Sequence, residues 1–122
     1  MTERREVWIA LSDLWLDTEQ TEWMLRGTAR QLAETGLSWK EIEEIAVVDV
    51  APVLHWNAWT VAGVWDAFDP DWLEAEIEKR RRRRGHALLA RAFSRLTMSA
   101  VRHNLRIVER YFKEAVGTRI DC

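Results

Sequence analysis

Residues 49–74 read DVAPVLHWNAWTVAGVWDAFDPDWLE, and the rest of the chain is arranged around this stretch. It holds four of the eight tryptophans and both prolines of the 122-residue sequence. Because each tryptophan offers a large apolar area, so aromatic a segment must be largely buried or form a contact surface. Pro52 is predicted to end or kink one helix, followed by a turn near His55 and a short helix over 58–68. The DPD motif at 69–71 is predicted to start the next helix, since aspartate caps a helix and proline suits its first turn.

Apolar residues recur with helical spacing on both sides of that stretch. Residues 3–16 share one apolar face, Asp17 is predicted to open a second helix that Gly36 ends, and Ser38 starts a third with a capping box. A strand is the alternative at 47–50, where β-branched residues cluster, but no other segment offers a strand partner. A helix is therefore predicted there as well.

The C-terminal part has a helical period throughout residues 87–116. Polar residues between 97 and 104 leave open whether it forms one helix or two, and Gly117 is predicted to end it. The chain is therefore predicted to be all-α, a compact bundle of five or six helices forming a single domain over residues 1–122.

The net charge of −2 conceals a division of the chain into an acidic and a basic part. Residues 1–78, which are rich in tryptophan, hold 17 acidic and 5 basic side chains, a balance of −12. Residues 79–122 hold 3 acidic and 13 basic side chains, a balance of +10. Such asymmetry indicates a charged partner, or attraction between the two parts within one chain or between two copies.

The chain has the composition of a protein of the cytoplasm. Charges interrupt every apolar stretch before it reaches membrane-spanning length, and the N-terminus lacks the apolar core of a signal peptide. The single cysteine, Cys122, has no partner for an intrachain disulfide. We expect a cytoplasmic location without membrane association.

The residues that could carry chemistry are not arranged for catalysis. Asp66, Asp69 and Asp71 suit helix capping better than metal binding, because no Asp/Glu-x-x-His motif accompanies them. The histidines lack ligand spacing, and neither a phosphate-binding glycine loop nor a nucleophile motif is present. The sequence predicts no enzyme activity, no catalytic residues, no metal and no cofactor.

Three motifs resemble a small bacterial domain family without assigned chemistry. They are ALSDLWLDTE at 10–19, VAPVLHWN at 50–57 and TVAGVWDAFDPDWLE at 60–74, and together they extend over the first two thirds of the chain. Trp15 stands where the family pattern has phenylalanine, and the C-terminal third finds no match. The resemblance implies an all-α protein of the kind found beside bacterial toxins.

We expect a non-enzymatic immunity protein that occludes the active site of a toxin. An acidic helical surface with an exposed tryptophan would be steered electrostatically onto a toxin domain with a basic cleft. The predicted contacts are Asp49, Trp56, Trp59, Asp66, Asp69 and Asp71.

The alternative is a nucleic-acid-associated regulator whose arginines contact phosphates. Its predicted contacts are Arg80, Arg81, Arg82, Arg83, Arg84, Arg91, Arg95 and Arg102. The pI of about 5.9 argues against this function. Leu89, Phe93 and Leu96 are also expected in the core, which leaves no aromatic ring beside the arginines for base stacking. Head-to-tail association of copies into a homo-oligomer is the third hypothesis.

Overall fold

Every element in the described part of the chain is helical, in a computed structural model that describes residues 2–15, 21–57, 70–99 and 101–121. The predicted all-α fold is confirmed. The elements, in chain order, are α1 (Thr2–Ser12), a 3-10 turn (Asp13–Trp15), α2 (Glu22–Glu34), α3 (Trp39–Ile45), a π-helical segment (Ala46–Val50), α4 (Ala51–Asn57), α5 (Pro70–Arg81), α6 (His86–Ala92), α7 (Ser94–Thr97) and α8 (Arg102–Asp121). The predicted helix over 58–68 lies outside the described residues.

Side-chain caps start the second and third helices. The Ser38 hydroxyl accepts a hydrogen bond from the Glu41 N–H at 3.2 Å, which confirms the predicted start of α3. Thr21 caps α2 in the same way, accepting from the Met24 N–H at 3.2 Å. The prediction that this helix opens at Asp17 is therefore wrong for the start of α2, and Asp17 itself lies outside the described residues.

Helices α3 and α4 form one continuous rod, because the π-helical segment joins them. The Ala51 N–H donates to the Ala46 carbonyl five residues earlier, which widens the turn just before Pro52. Helical structure at 47–50 is thus confirmed, and no strand occurs among the described residues. Of the two effects predicted for Pro52, ending the helix is wrong, since a widened turn accommodates the proline ring. The predicted turn near His55 is also wrong, because α4 continues through Asn57.

The C-terminal region contains three helices rather than one or two. Gly85 adopts a φ of 76°, in the left-handed region, and separates α5 from α6. Phe93, with φ −100° and ψ 12°, separates α6 from α7. The last helix continues to Asp121, so the prediction that Gly117 ends it is wrong.

The core is formed by residues from α1 through α8. Helix α2 packs along α8, while α1 packs against α2 and the π-helical segment. Leu11, Leu32, Ile42, Leu54 and Ile77 are fully buried. Among the helices described, none combines the length and apolar character that crossing a membrane requires.

Candidate functional site

Helices α6 and α7 present large apolar side chains to solvent. Leu88 is 73% exposed, Leu89 59%, Phe93 53% and Leu96 47%. We call these four residues the α6–α7 face. The prediction that Leu89, Phe93 and Leu96 lie in the core is wrong, because the break at Phe93 interrupts the helix and this region is buried only through Ala90, Thr97 and Met98.

An apolar cavity of about 310 Å³ opens beside this face. Its apolar walls are formed by Val48 of the π-helical segment, Pro52 of α4, and Leu89, Ala90 and Phe93 of the α6–α7 region. Three arginines of the predicted basic run, Arg80, Arg83 and Arg84, also line it. The site therefore combines apolar contact area with positive charge.

A second cavity, of about 530 Å³, has Asp49 in its lining, and we call it the polar cavity because most of its lining residues are charged or polar. The Asp49 carboxylate accepts hydrogen bonds from Arg4 and from the Trp8 indole N–H, both at 3.0 Å, and lies 4.0 Å from Arg81. The side chain of Asp49 is only 2% exposed. Asp49 is therefore not a surface contact, contrary to the prediction, because its carboxylate joins α1 and α5 to the rod.

His86, the first residue of α6, lies between the two cavities and lines both. Its ring Nε2 is buried and makes no hydrogen bond within the part of the chain that the structure describes. Buried polar atoms nearly always have a partner, so this nitrogen is a candidate contact for a bound group.

The remaining predicted acidic contacts are only partly described. The Asp71 side chain is 90% exposed and pairs with Arg5 at 3.0 Å. Trp59, Asp66 and Asp69 lie outside the described residues, as does the side chain of Trp56. An acidic docking surface built from these residues stays a prediction.

The predicted basic contacts fall on different elements. Arg80 and Arg81 end α5, and the turn that follows carries Arg82, Arg83 and Arg84. Arg91 on α6 forms an ion pair with Glu44 of α3. Arg95 lies on α7 and Arg102 on α8, so the predicted basic contacts do not share one helix. Within α8 alone, Arg102, Arg106, Arg110 and Lys113 are exposed at positions that share one side.

Sequence reasoning also missed Trp23, which is 82% exposed on α2. The buried side of α2 is defined by the helical spacing of Leu25, Thr28, Ala29 and Leu32. Trp23 does not lie on that side, so the same spacing could have predicted its exposure. Next to it, the Tyr111 hydroxyl donates to Glu22 at 2.6 Å, and this hydrogen bond lowers the pKa of Glu22.

A family comparison assigns nearly the whole chain. The family model of a domain of unknown function, DUF7079, matches residues 2–111. The chain belongs to the DUF7079 family. No curated protein and no solved structure shows significant similarity to this chain.

The DUF7079 match extends past the motifs that first indicated a family. It continues through α6, α7 and the first half of α8, so the prediction that the C-terminal third has no counterpart is wrong. Both cavities and the α6–α7 face lie inside the DUF7079 domain. Within the described residues of this domain, no group of His, Cys, Asp and Glu side chains could hold a metal ion.

Proposed function

We propose that the protein is a non-enzymatic binding protein whose α6–α7 face receives an acidic, amphipathic segment of another protein. The observation that carries this proposal is the exposure of four large apolar side chains within the nine residues 88–96. Each of the four is at least 47% exposed, and the arginine run 80–84 precedes them closely in the sequence. Soluble proteins rarely expose contiguous apolar patches, and those they do expose are commonly binding sites.

The geometry of the face suits a helical ligand. Leu89 and Phe93 open onto the same cavity, and amphipathic helices bind other proteins by inserting apolar side chains into such cavities. A cavity beside an apolar ridge lets the ligand insert a side chain while it also covers the ridge. Burial of such anchors at the centre of an interface supplies most binding energy.

Charge selects the partner. Arg80, Arg83 and Arg84 line the cavity, and Arg95 is exposed on α7. Positive charge around an apolar surface attracts ligands with acidic residues and repels basic ones. The favoured occupant is therefore an acidic segment with leucine or aromatic anchors.

The immunity function stays part of the proposal. It rests on the resemblance to toxin-neighbouring bacterial proteins, with the α6–α7 face in place of the acidic surface that included Asp49. A cytoplasmic location is proposed with it. On this basis the acidic segment would belong to a cognate toxin.

Nucleic acid is the second candidate partner, and the exposure of Phe93 favours it. Phe93 is 53% exposed and lines the cavity with three arginines, so an aromatic ring for base stacking is available after all. The other large side chains of the face are leucines, which offer no stacking surface. We therefore rank a protein partner first.

Selection from a library of random 16-residue peptides tests the proposal. We expect enrichment of peptides that combine Leu, Phe or Trp at helical spacing with Asp or Glu. Leu89→Ser with Phe93→Ser should weaken their binding about tenfold or more, and Arg83→Glu with Arg84→Glu should do the same. Trp23→Ser, which removes an exposed apolar side chain elsewhere, is the matched control and should leave affinity unchanged.

Two outcomes would overturn the protein-binding proposal. One is the absence of enriched peptides, and the other is enrichment of peptides that bind the Leu89→Ser/Phe93→Ser protein as tightly as the unmodified one. Labelled single-stranded DNA and RNA are titrated in parallel. Nucleic-acid binding that weakens steeply with salt and depends on Phe93, without any peptide binder, would transfer the proposal to nucleic acid.

A further inference from the structure

The apolar and polar cavities share a wall. Val48 of the π-helical segment and His86 of α6 line both of them. A ligand seated on the α6–α7 face over the apolar cavity therefore lies next to the polar cavity as well. Such a ligand can place different groups in the two cavities at once.

The apolar cavity is suited to one bulky side chain. Its volume of about 310 Å³ is at the lower limit of the ~300–1,000 Å³ typical of ligand pockets. Pro52, Ala90 and Thr97 contribute small or rigid groups to its lining, while Leu89 and Phe93 stand partly in solvent beside it. A leucine or aromatic side chain inserted here would cover apolar surface on both residues.

The shared wall carries a hydrogen-bonding group that lacks a partner. The Nε2 atom of His86 is buried without a hydrogen bond among the described residues. In one tautomer of the ring this nitrogen donates an N–H. A ligand acceptor that reaches it would satisfy a group that is unsatisfied in the free protein.

Arg81 supplies the positive charge on the polar side. Among the described residues, its nearest carboxylate oxygens, on Asp49 and Glu78, are each 4.0 Å away, which is beyond hydrogen-bond length. Its guanidinium therefore pairs with them only electrostatically and keeps N–H groups available for a ligand. The side chain is 37% exposed, so solvent and ligands reach it.

The other charges of the polar cavity limit how much acid it admits. Glu41 and Glu44 also line it, and Glu44 is neutralised by its ion pair with Arg91. Asp49 is hydrogen-bonded by Arg4 and Trp8. A single carboxylate finds Arg81 and His86 as partners, whereas a run of acids would meet like charges.

We propose that the partner segment inserts one bulky apolar side chain into the apolar cavity and, within one helical turn of it, presents one carboxylate to His86 and Arg81. This inference rests on the proposed function, since it concerns the same ligand on the same face. Residues three or four apart lie on the same side of a helix, so a Leu/Phe/Trp residue with Asp or Glu at that spacing meets both requirements. The pairing gives the surface its specificity, because apolar contact alone would admit many ligands.

The probe is the tightest peptide selected from the random library. Each of its acids is changed to the matching amide in turn, and each variant is titrated against the unmodified protein, Arg81→Gln and His86→Phe. We expect one acid, three or four residues from the anchor, whose amide weakens binding to the unmodified protein about tenfold. The same change should have little effect on Arg81→Gln, since the interaction is already lost there. Arg82→Gln is the matched control, because Arg82 lines neither cavity.

Each result decides the inference. Equal losses for every amide change on the unmodified protein and on Arg81→Gln would overturn it. If peptide binding depends on Leu89 and Phe93 but not on Arg81 or His86, the proposed function stands and this inference alone fails. If no peptide binds the face, both fail. The amide changes are made in the peptide, so their effect on the unmodified protein does not depend on the folding of a protein variant.

Discussion

Replacement of Asp49 by alanine is expected to destabilise the protein substantially, although no catalytic role is assigned to this residue. Its buried carboxylate is the acceptor for the Trp8 indole N–H and for Arg4, both at 3.0 Å. These contacts join residues 41 and 45 positions apart in the sequence. Asp49 thereby fixes α1 on the rod.

The magnitude follows from the burial of each partner. Trp8 is 3% exposed, so its N–H would remain buried without an acceptor, at a cost of about 1–3 kcal/mol. Arg4 is 45% exposed, so solvent screens its ion pair and the loss there is about 0.2–1 kcal/mol. Asp49→Ala should therefore lower the free energy of unfolding by about 1–4 kcal/mol. Asp49→Asn keeps an acceptor for the indole and should cost about 1 kcal/mol.

Urea unfolding followed by far-ultraviolet circular dichroism measures these values. A double-mutant cycle with Trp8→Phe isolates the main contact, because phenylalanine removes the N–H and retains a ring. We expect Asp49→Ala to cost at least about 1 kcal/mol less in the Trp8→Phe background. A cost below about 1 kcal/mol for Asp49→Ala alone would refute the reasoning, as would an equal cost in both backgrounds.

Two further predictions concern pH and backbone conformation. Burial raises the pKa of Asp13 to about 6, so the folded protein holds this proton more tightly than the unfolded chain does. The protonated Asp13 side chain contributes fully to stability below about pH 4, and this contribution is lost as the pH rises towards 6. Urea unfolding should therefore find Asp13→Asn more stable than the unmodified protein at pH 7.5 but not at pH 4. An equal difference in stability at both pH values would contradict this. Gly85 has a φ of +76°, and a β-carbon added there would meet no atom within 4 Å, so Gly85→Ala should cost roughly 1–2 kcal/mol through conformation alone. Gly27 lies inside α2 with equally open surroundings, so Gly27→Ala should instead stabilise the protein by roughly 0.5–1 kcal/mol. Thermal and urea unfolding measure both changes in stability, and the same sign for the two substitutions would be inconsistent with this explanation.

Elements that begin with a local signal were predictable from the sequence. Ser38 caps α3, as its capping box predicts, and Pro70 is the first residue of α5, as the DPD motif at 69–71 predicts. Gly85 interrupts the helical structure before α6, because the left-handed backbone conformation at this position favours glycine. Pro52 and Gly117 misled because their usual effects were overridden, by a widened turn before Pro52 and by the continuation of α8 through Gly117.

The candidate site was less predictable, because it depends on contacts between distant residues. Leu89, Phe93 and Leu96 have the spacing of a buried helix side, and neither proline nor glycine marks the break at Phe93. The burial of Asp49 follows from Trp8 and Arg4, far away in sequence. The arginine run was evident from the sequence, but its position beside an apolar cavity depends on the packing of α6 against the rod.

The π-helical segment gives the rod one more residue than an α-helix of the same length would need. Such a turn is equivalent to a single-residue insertion that leaves α3 and α4 facing the same side of the core, where Ile42, Ile45, Val53 and Leu54 are all buried. Tolerance of a length change should therefore be coupled to the proline. Deletion of Val47 alone would force Pro52 into an ordinary α-helical turn and destabilise the fold, whereas the same deletion combined with Pro52→Ala should recover much of the loss in urea unfolding. Equal stability of the two deletion variants would show that the proline and the surplus residue are independent.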